Sequence, residues 1–133
     1  MKNWNAALQC YQIIIDTPNL SEDSLELFVT HSGRADVYLN LNDLSNALLS
    51  YEKALQLQCQ YHSSKDLSVG YFIFMIGCIN EMMGNIDAAL KSYQDIIKLD
   101  QIDFTYTAHQ YIGKIYMQRN DHDTARRHLI KSL

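Results

Sequence analysis

One short apolar stripe recurs along this chain and sets most of what it can fold into. It runs through Trp4, Ala7, Leu8, Tyr11, Ile14 and Ile15, returns in Leu44, Ala47, Leu48, Tyr51, Ala54 and Leu55, and returns again in Ile86, Ala89, Leu90, Tyr93 and Ile97. Steps of three and four put each set on one face of an α-helix, and no window shows the alternation of a strand. Aligning the small residue of each stripe places Ala7, Ala47, Ala89 and Ala125 in register at separations of 40, 42 and 36. Four residues after each stands a large side chain: Tyr11, Tyr51, Tyr93 or Leu129. Regular self-similarity of this length is the mark of a stacked repeat.

Helix boundaries are written into the same segments. Asp43, Asn85 and Asp121 each precede a stripe, where a short polar side chain can accept from an orphan backbone N–H. Pro18 cannot continue the first helix, Gly84 with Asn85 makes a tight turn, and the polar run Gln58 to Ser64 reads as a loop. The pattern predicts helices over 3–16, 22–41, 44–58, 66–83, 86–100, 103–119 and 122–133, an all-α chain of seven helices in antiparallel hairpins. Hydrophobic residues at 47%, with one proline and five glycines, suit long uninterrupted helices around a real core.

Upstream of three stripes lies a first helix carrying Ala35 with Tyr38, Gly77 with Asn80, or Gly113 with Tyr116. The segment His109-x2-Ile112-Gly113-x2-Tyr116 followed by Ala125-x3-Leu129, and its counterpart Ile73-x2-Ile76-Gly77-x2-Asn80 followed by Ala89-x3-Tyr93, resemble the tetratricopeptide repeat. The first complete copy departs from that pattern at Arg34, where a large apolar residue is expected. Spacings above the usual period of about 34 resemble the long repeats of kinesin light chains and bacterial peptide-sensing regulators. The resemblance implies a right-handed superhelix, with a half repeat at 3–18 and repeats near 22–58, 66–100 and 103–133, read as one repeat domain within a longer protein. Small residues at Ala35, Gly77 and Gly113 would let paired helices approach closely, and stacking would bury what no hairpin can bury alone.

In this family the inner face of each first helix is left open to a ligand. Carried over residue by residue, that face is Val29, Ser32, Gly33, Asp36, Leu39 and Asn40, then Tyr71, Phe74, Met75, Cys78, Glu81 and Met82, then Thr107, Gln110, Tyr111, Lys114, Met117 and Gln118. The candidate peptide-binding residues drawn from it are Asp36, Asn40, Tyr71, Phe74, Met75, Cys78, Met82, Gln110, Tyr111 and Lys114. An apolar centre with polar contacts suits a helix or extended peptide with aliphatic or aromatic anchors. The carboxylate clamp of chaperone-binding members is not matched, because Ser32, Asp36, Met75, Thr107 and Tyr111 occupy its places. The expected function is a protein-interaction scaffold or adaptor, with a peptide-sensing regulatory domain as the alternative.

Chemistry of other kinds finds no motif. His31, His62, His109, His122 and His128 show neither His-x3-His spacing nor a cysteine partner, and His122-Asp123 is explained as the first turn of a helix. Cys10, Cys59 and Cys78 lack CxxC spacing and are expected to be reduced, mostly buried thiols. No phosphate-binding glycine loop is present. The expectation is no enzyme, no metal and no cofactor. Residues 1–113 carry 6 basic and 13 acidic side chains and residues 114–133 carry 5 and 2, a net −7 against +3. That basic end suits a helix C-terminus and is too small for a nucleic-acid footprint. The most apolar run, Val69 to Ile79, is too short to cross a bilayer, and the N-terminus lacks a secretory h-region, which predicts a soluble cytoplasmic chain. The apolar end at Leu129, Ile130 and Leu133 predicts self-association through uncapped repeat ends.

Overall fold

The structure, a computed structural model, describes residues 3–63 and 66–133. Seven helices account for most of them: α1 (Trp4–Ile15), α2 (Leu25–Asn40), α3 (Leu44–Tyr61), α4 (Leu67–Met82), α5 (Ile86–Leu99), α6 (Ile102–Gln118) and α7 (His122–Lys131). No strand occurs among the described residues. The all-α expectation holds, with two boundary corrections. Helix α3 continues through Gln58 to Tyr61, because Gln58 is buried and its amide nitrogen Nε2 donates to the carbonyl of Ser63 at 2.9 Å. The predicted loop therefore shrinks to its last residues, of which Ser64 lies outside the described ones. Helix α2 begins at Leu25 rather than residue 22, since Ser24 caps it by accepting from Leu27 N–H at 3.2 Å.

The chain divides into two compact units, Met1–Ser64 and Lys65–Leu133. In the first, α1 packs on α2 and α2 on α3 around Leu27, Ala35, Val37, Ala47, Tyr51, Ala54 and Leu57. Helix α1 contributes no buried residue, and its Trp4, Ala7, Tyr11 and Ile14 are only partly covered. In the second, α4 with α5 and α6 with α7 form hairpins, and α6 also lies against both α4 and α5. Its core includes Ile76, Ile79, Ala89, Leu90, Tyr93, Ile96, Ala108, Ile112 and Ala125. Side chains such as Ile79, Ile96 and Ile112 have almost no exposure, and each contributes about 1.5–3 kcal/mol by leaving water.

Small residues meet large ones as the alignment requires. A Cβ on Gly77 would stand 2.7 Å from the Tyr93 ring, and one on Gly113 would stand 2.7 Å from Leu129. Tyr93 has no exposed surface, so it cannot swing aside.

Each hairpin turn repeats one geometry. Asp43 N–H donates to Tyr38 O, Asn85 N–H to Asn80 O and Asp121 N–H to Tyr116 O, at 2.8–2.9 Å, while the residue between helix end and cap turns left-handed. That residue is Asn42 (φ 59°), Gly84 (φ 83°) or Asn120 (φ 61°). These bonds close a Schellman motif and satisfy carbonyls that the helix leaves open. Asp43 and Asp121 then cap the next helix, accepting from Asn46 and Thr124 N–H. Asn85, expected to do the same, makes no such bond; its amide donates instead to Asn80 Oδ1 at 3.4 Å.

Nothing lies within 4 Å of a Cβ placed on Gly84, so only backbone conformation resists substitution there. Gly84→Asn is therefore expected to leave unfolding almost unchanged, as Asn already serves the two equivalent turns. Gly84→Val should cost about 1–2 kcal/mol, measured by denaturant unfolding.

Candidate functional site

Helix α4 carries Tyr71, Met75, Cys78 and Met82 at steps of four, three and four, which lines them along one stripe. Tyr71 and Met82 are exposed at 38% and 55%, whereas Met75 and Cys78 are half-buried. Phe74, beside the stripe, is also half-buried and forms the floor of an aromatic cluster. Its ring meets Tyr111 edge-on at 5.2 Å and lies 6.1 Å from Tyr93 and 6.4 Å from Phe104. Tyr93 and Tyr111 are themselves 5.3 Å apart. Aromatic pairs at such distances fix one another's orientation beyond simple burial.

A polar thread runs through the cluster. The Tyr93 hydroxyl donates to Glu81 Oε1 at 3.1 Å and lies 3.6 Å from Cys78 Sγ. Burial, with Cys78 and Glu81 adding to it, pushes the Tyr93 hydroxyl far above its ordinary range. Burial likewise raises the Cys78 thiol, which disfavours the thiolate. At the rim Lys114 Nζ stands 5.2 Å from the centre of the Tyr111 ring, a cation–π contact that leaves the ammonium exposed.

The sequence-chosen residues thus separate. Phe74, Cys78, Tyr111 and Lys114 come together in the second unit, with Tyr71, Met75 and Met82 along the same helix. Gln110 is exposed and lines a different cavity, beside Met117. Asp36 and Asn40 belong to the first unit, where Tyr51 donates its hydroxyl proton to Asp36 and Asn40 Nδ2 donates to the Asp36 carbonyl at 2.7 Å. Sequence reasoning missed Tyr93 and Phe104 as parts of the site. A signal was available: Asp36 to Tyr51 and Cys78 to Tyr93 are both 15 residues apart, so each tyrosine reaches the inner face of the preceding helix.

The expectation of mostly buried cysteines needs correction. Cys10 and Cys59 are exposed and Cys78 only half-buried, because the first two sit on outward helix faces that no neighbour covers. His109 and His128, 19 residues apart, meet with Nδ1 to Nδ1 at 2.8 Å, and Tyr116 stacks on His128 at 6.2 Å. His109 holds the position where the repeat expects a large apolar side chain, which explains its 7% exposure. Among the described residues no group of three or more His, Cys, Asp or Glu converges as metal ligands would.

Paired antiparallel helices, stacked through small-against-large contacts and closed by identical turns, define an all-α helical-repeat protein. The tetratricopeptide repeat model fits residues 31–58 and 71–103, so these two segments are tetratricopeptide repeats. Among solved structures it is similar to BtubC (BKLC) from P. vanneervenii, with a TM-score of 0.81 and 16% identity over 97% of this chain and 55% of that one. It is also similar to MamA, with a TM-score of 0.68 and 18% identity over 98% of this chain and 76% of that one. At these identities the likeness is one of fold, and the chain spans about half the length of BtubC. No curated protein sequence matches it. No helix among the described residues is long and apolar enough to cross a membrane.

Proposed function

We propose that this chain is a scaffold or adaptor module that holds a peptide or helix of a partner protein against the inner face of α4 and α6. Tetratricopeptide repeats generally mediate protein–protein interaction, and the observation that carries the reading here is the α4 stripe. Tyr71 and Met82 stand exposed at its two ends above an aromatic floor that is already ordered, so little has to move when an apolar side chain docks. Glu81 and Lys114 supply polar contacts at the edge.

The test uses peptides selected against the unaltered chain from a random display library. Tyr71→Ser with Met82→Ser should weaken their binding about tenfold or more while leaving helical content intact, because aromatic and apolar anchors dominate such interfaces. Lys91→Glu is the control; Lys91 is 77% exposed and pairs with Asp95 on its own helix. Equal binding by the double variant would move recognition away from this face. Phe74 is unsuited to the test, since its ring is locked among three others.

A further inference from the structure

Equivalent places between the paired helices carry different chemistry in each hairpin. The separation of 42 between Ala47 and Ala89 carries His31 to Ile73, Arg34 to Ile76, Ser50 to Ser92 and Lys53 to Asp95. The separation of 36 between Ala89 and Ala125 carries these on to His109, Ile112, His128 and Lys131. Between α6 and α7 the His128 ring stands against His109 at 2.8 Å and fills its place. Between α2 and α3 that place holds only the small Ser50. Arg34 is drawn along its own helix toward Tyr38, with its guanidinium over the ring and 3.3 Å from the hydroxyl. The result is a cavity of about 170 Å³ lined by His31, Arg34, Asn46, Leu49, Ser50 and Lys53.

The charges in this lining are all basic. None of the ion pairs among the described residues uses Arg34 or Lys53. Both lie close enough to His31 to act on it, since burial first and then Arg34 and Lys53 hold its imidazole down to about 4. Asp43, the carboxylate bonded to a lining residue, accepts from the Asn46 amide at 2.7 Å and from its backbone N–H at 3.3 Å, which fixes it as the cap of α3. Glu52, next to Lys53 in sequence, is exposed. We infer that this cavity binds a phosphate group, as the free ion or on a phosphorylated side chain of a partner, with Arg34 and Lys53 as cationic donors and His31 and Ser50 as neutral ones. A phosphate monoester carries about −1.5 to −2 charges at neutral pH and three acceptor oxygens, which suits two cations with two further donors better than a carboxylate does. A concave site lined by one sign of charge also concentrates the field of its cations. His31, Arg34, Ser50 and Lys53 stand outside the inner-face positions, so this is not the carboxylate clamp. The cavity lies in the first unit, and it holds or fails apart from the function proposed above.

Inorganic phosphate is titrated into the isotope-labelled chain near neutral pH at constant ionic strength. It should shift the backbone resonances of His31, Ser50 and Lys53 and raise the titration midpoint of the His31 ring, because a bound anion favours the imidazolium. Acetate and chloride should do neither. Arg34→Gln with Lys53→Gln should weaken phosphate binding at least tenfold. Leu49→Glu guards against a folding defect, since Leu49 is 62% exposed where it lines the cavity, and its carboxylate should repel phosphate to a similar degree. Lys91→Glu, the same position in the α4–α5 hairpin, should leave the titration unchanged. A short serine-phosphorylated peptide and its unphosphorylated twin distinguish the sources. Binding of the phosphopeptide tenfold tighter than free phosphate assigns the group to a partner, and equal affinity assigns it to the free ion. An equal response to acetate, a phosphate response that leaves His31 unmoved, or binding that survives both the double variant and Leu49→Glu would each overturn the inference.

Discussion

Replacing Ala89 with leucine should lower stability by about 1–3 kcal/mol and the thermal midpoint by roughly 4 °C or more. Ala89 has no exposed surface and sits in the core among Leu90, Tyr93, Ile96 and Ala108. Close-packed interiors cannot absorb three extra carbons without driving side chains off their rotamers or parting the helices. The neighbouring residue provides a sharp control. Ala88 is exposed, so Ala88→Leu adds the same atoms to the same helix with almost no effect expected. Calorimetric unfolding of the two variants beside the parent chain decides the matter. Equal midpoints would mean that the alignment of Ala47, Ala89 and Ala125 does not mark the tight contact between paired helices.

Acidification should unfold the chain more readily, beginning near the ordinary histidine range. His31 is held down to about 4 by burial and then by Arg34 and Lys53, so it is neutral in the folded chain and protonates on unfolding. His109 and His128 are also shifted downward, by burial first. Lys131 acts on both, and Arg127 and the partner ring act on His128 as well. Tyr116 stacks on the His128 ring. One neutral imidazole of the pair can donate Nδ1–H to the other; with both protonated, two donors would face each other across 2.8 Å. For all three residues the folded chain binds fewer protons than the unfolded one, so stability is fully present above about pH 6.5 and is lost as pH falls toward the folded values. Denaturant midpoints should be flat from about pH 8 to 7 and fall steadily from about pH 6.5 to 4. His31→Gln and His128→Gln should each flatten part of that slope. A parent curve unchanged across the interval would show that the imidazoles remain solvated in the folded chain.

What the sequence revealed, and what it hid, follows from how far each signal reaches along the chain. The helices and the Ala–Tyr pairs were legible because their determinants recur within four residues, a distance that helical geometry converts directly into a shared face. Of the left-handed turn positions only Gly84 was read from the sequence; Asn42 and Asn120 hold the same conformation in the other two turns. Asn85 misled because its amide had a second partner, Asn80, five residues back. The histidine pair could not be read at all, since His109 and His128 lie on different helices and meet only after the α6–α7 hairpin closes. Exposure of Cys10 and Cys59 was equally hidden, because an apolar residue's type does not say which helix face a neighbour will cover. For the candidate site, the family's inner positions on α4 form a stripe along that one helix. They did not reveal that Phe74 and Tyr111 spend much of their surface on each other and on Tyr93.

The partial cover of α1 has a practical consequence for spectroscopy. Trp4 is the chain's single tryptophan and lies at the start of that helix, while the nine tyrosines are spread over both units. Indole emission is thus a private reporter on whether α1 stays docked, and phenol emission averages over both units. Any optical melting curve recorded through the tryptophan alone describes the least buried helix of the first unit, and leaves α4 to α7 dark.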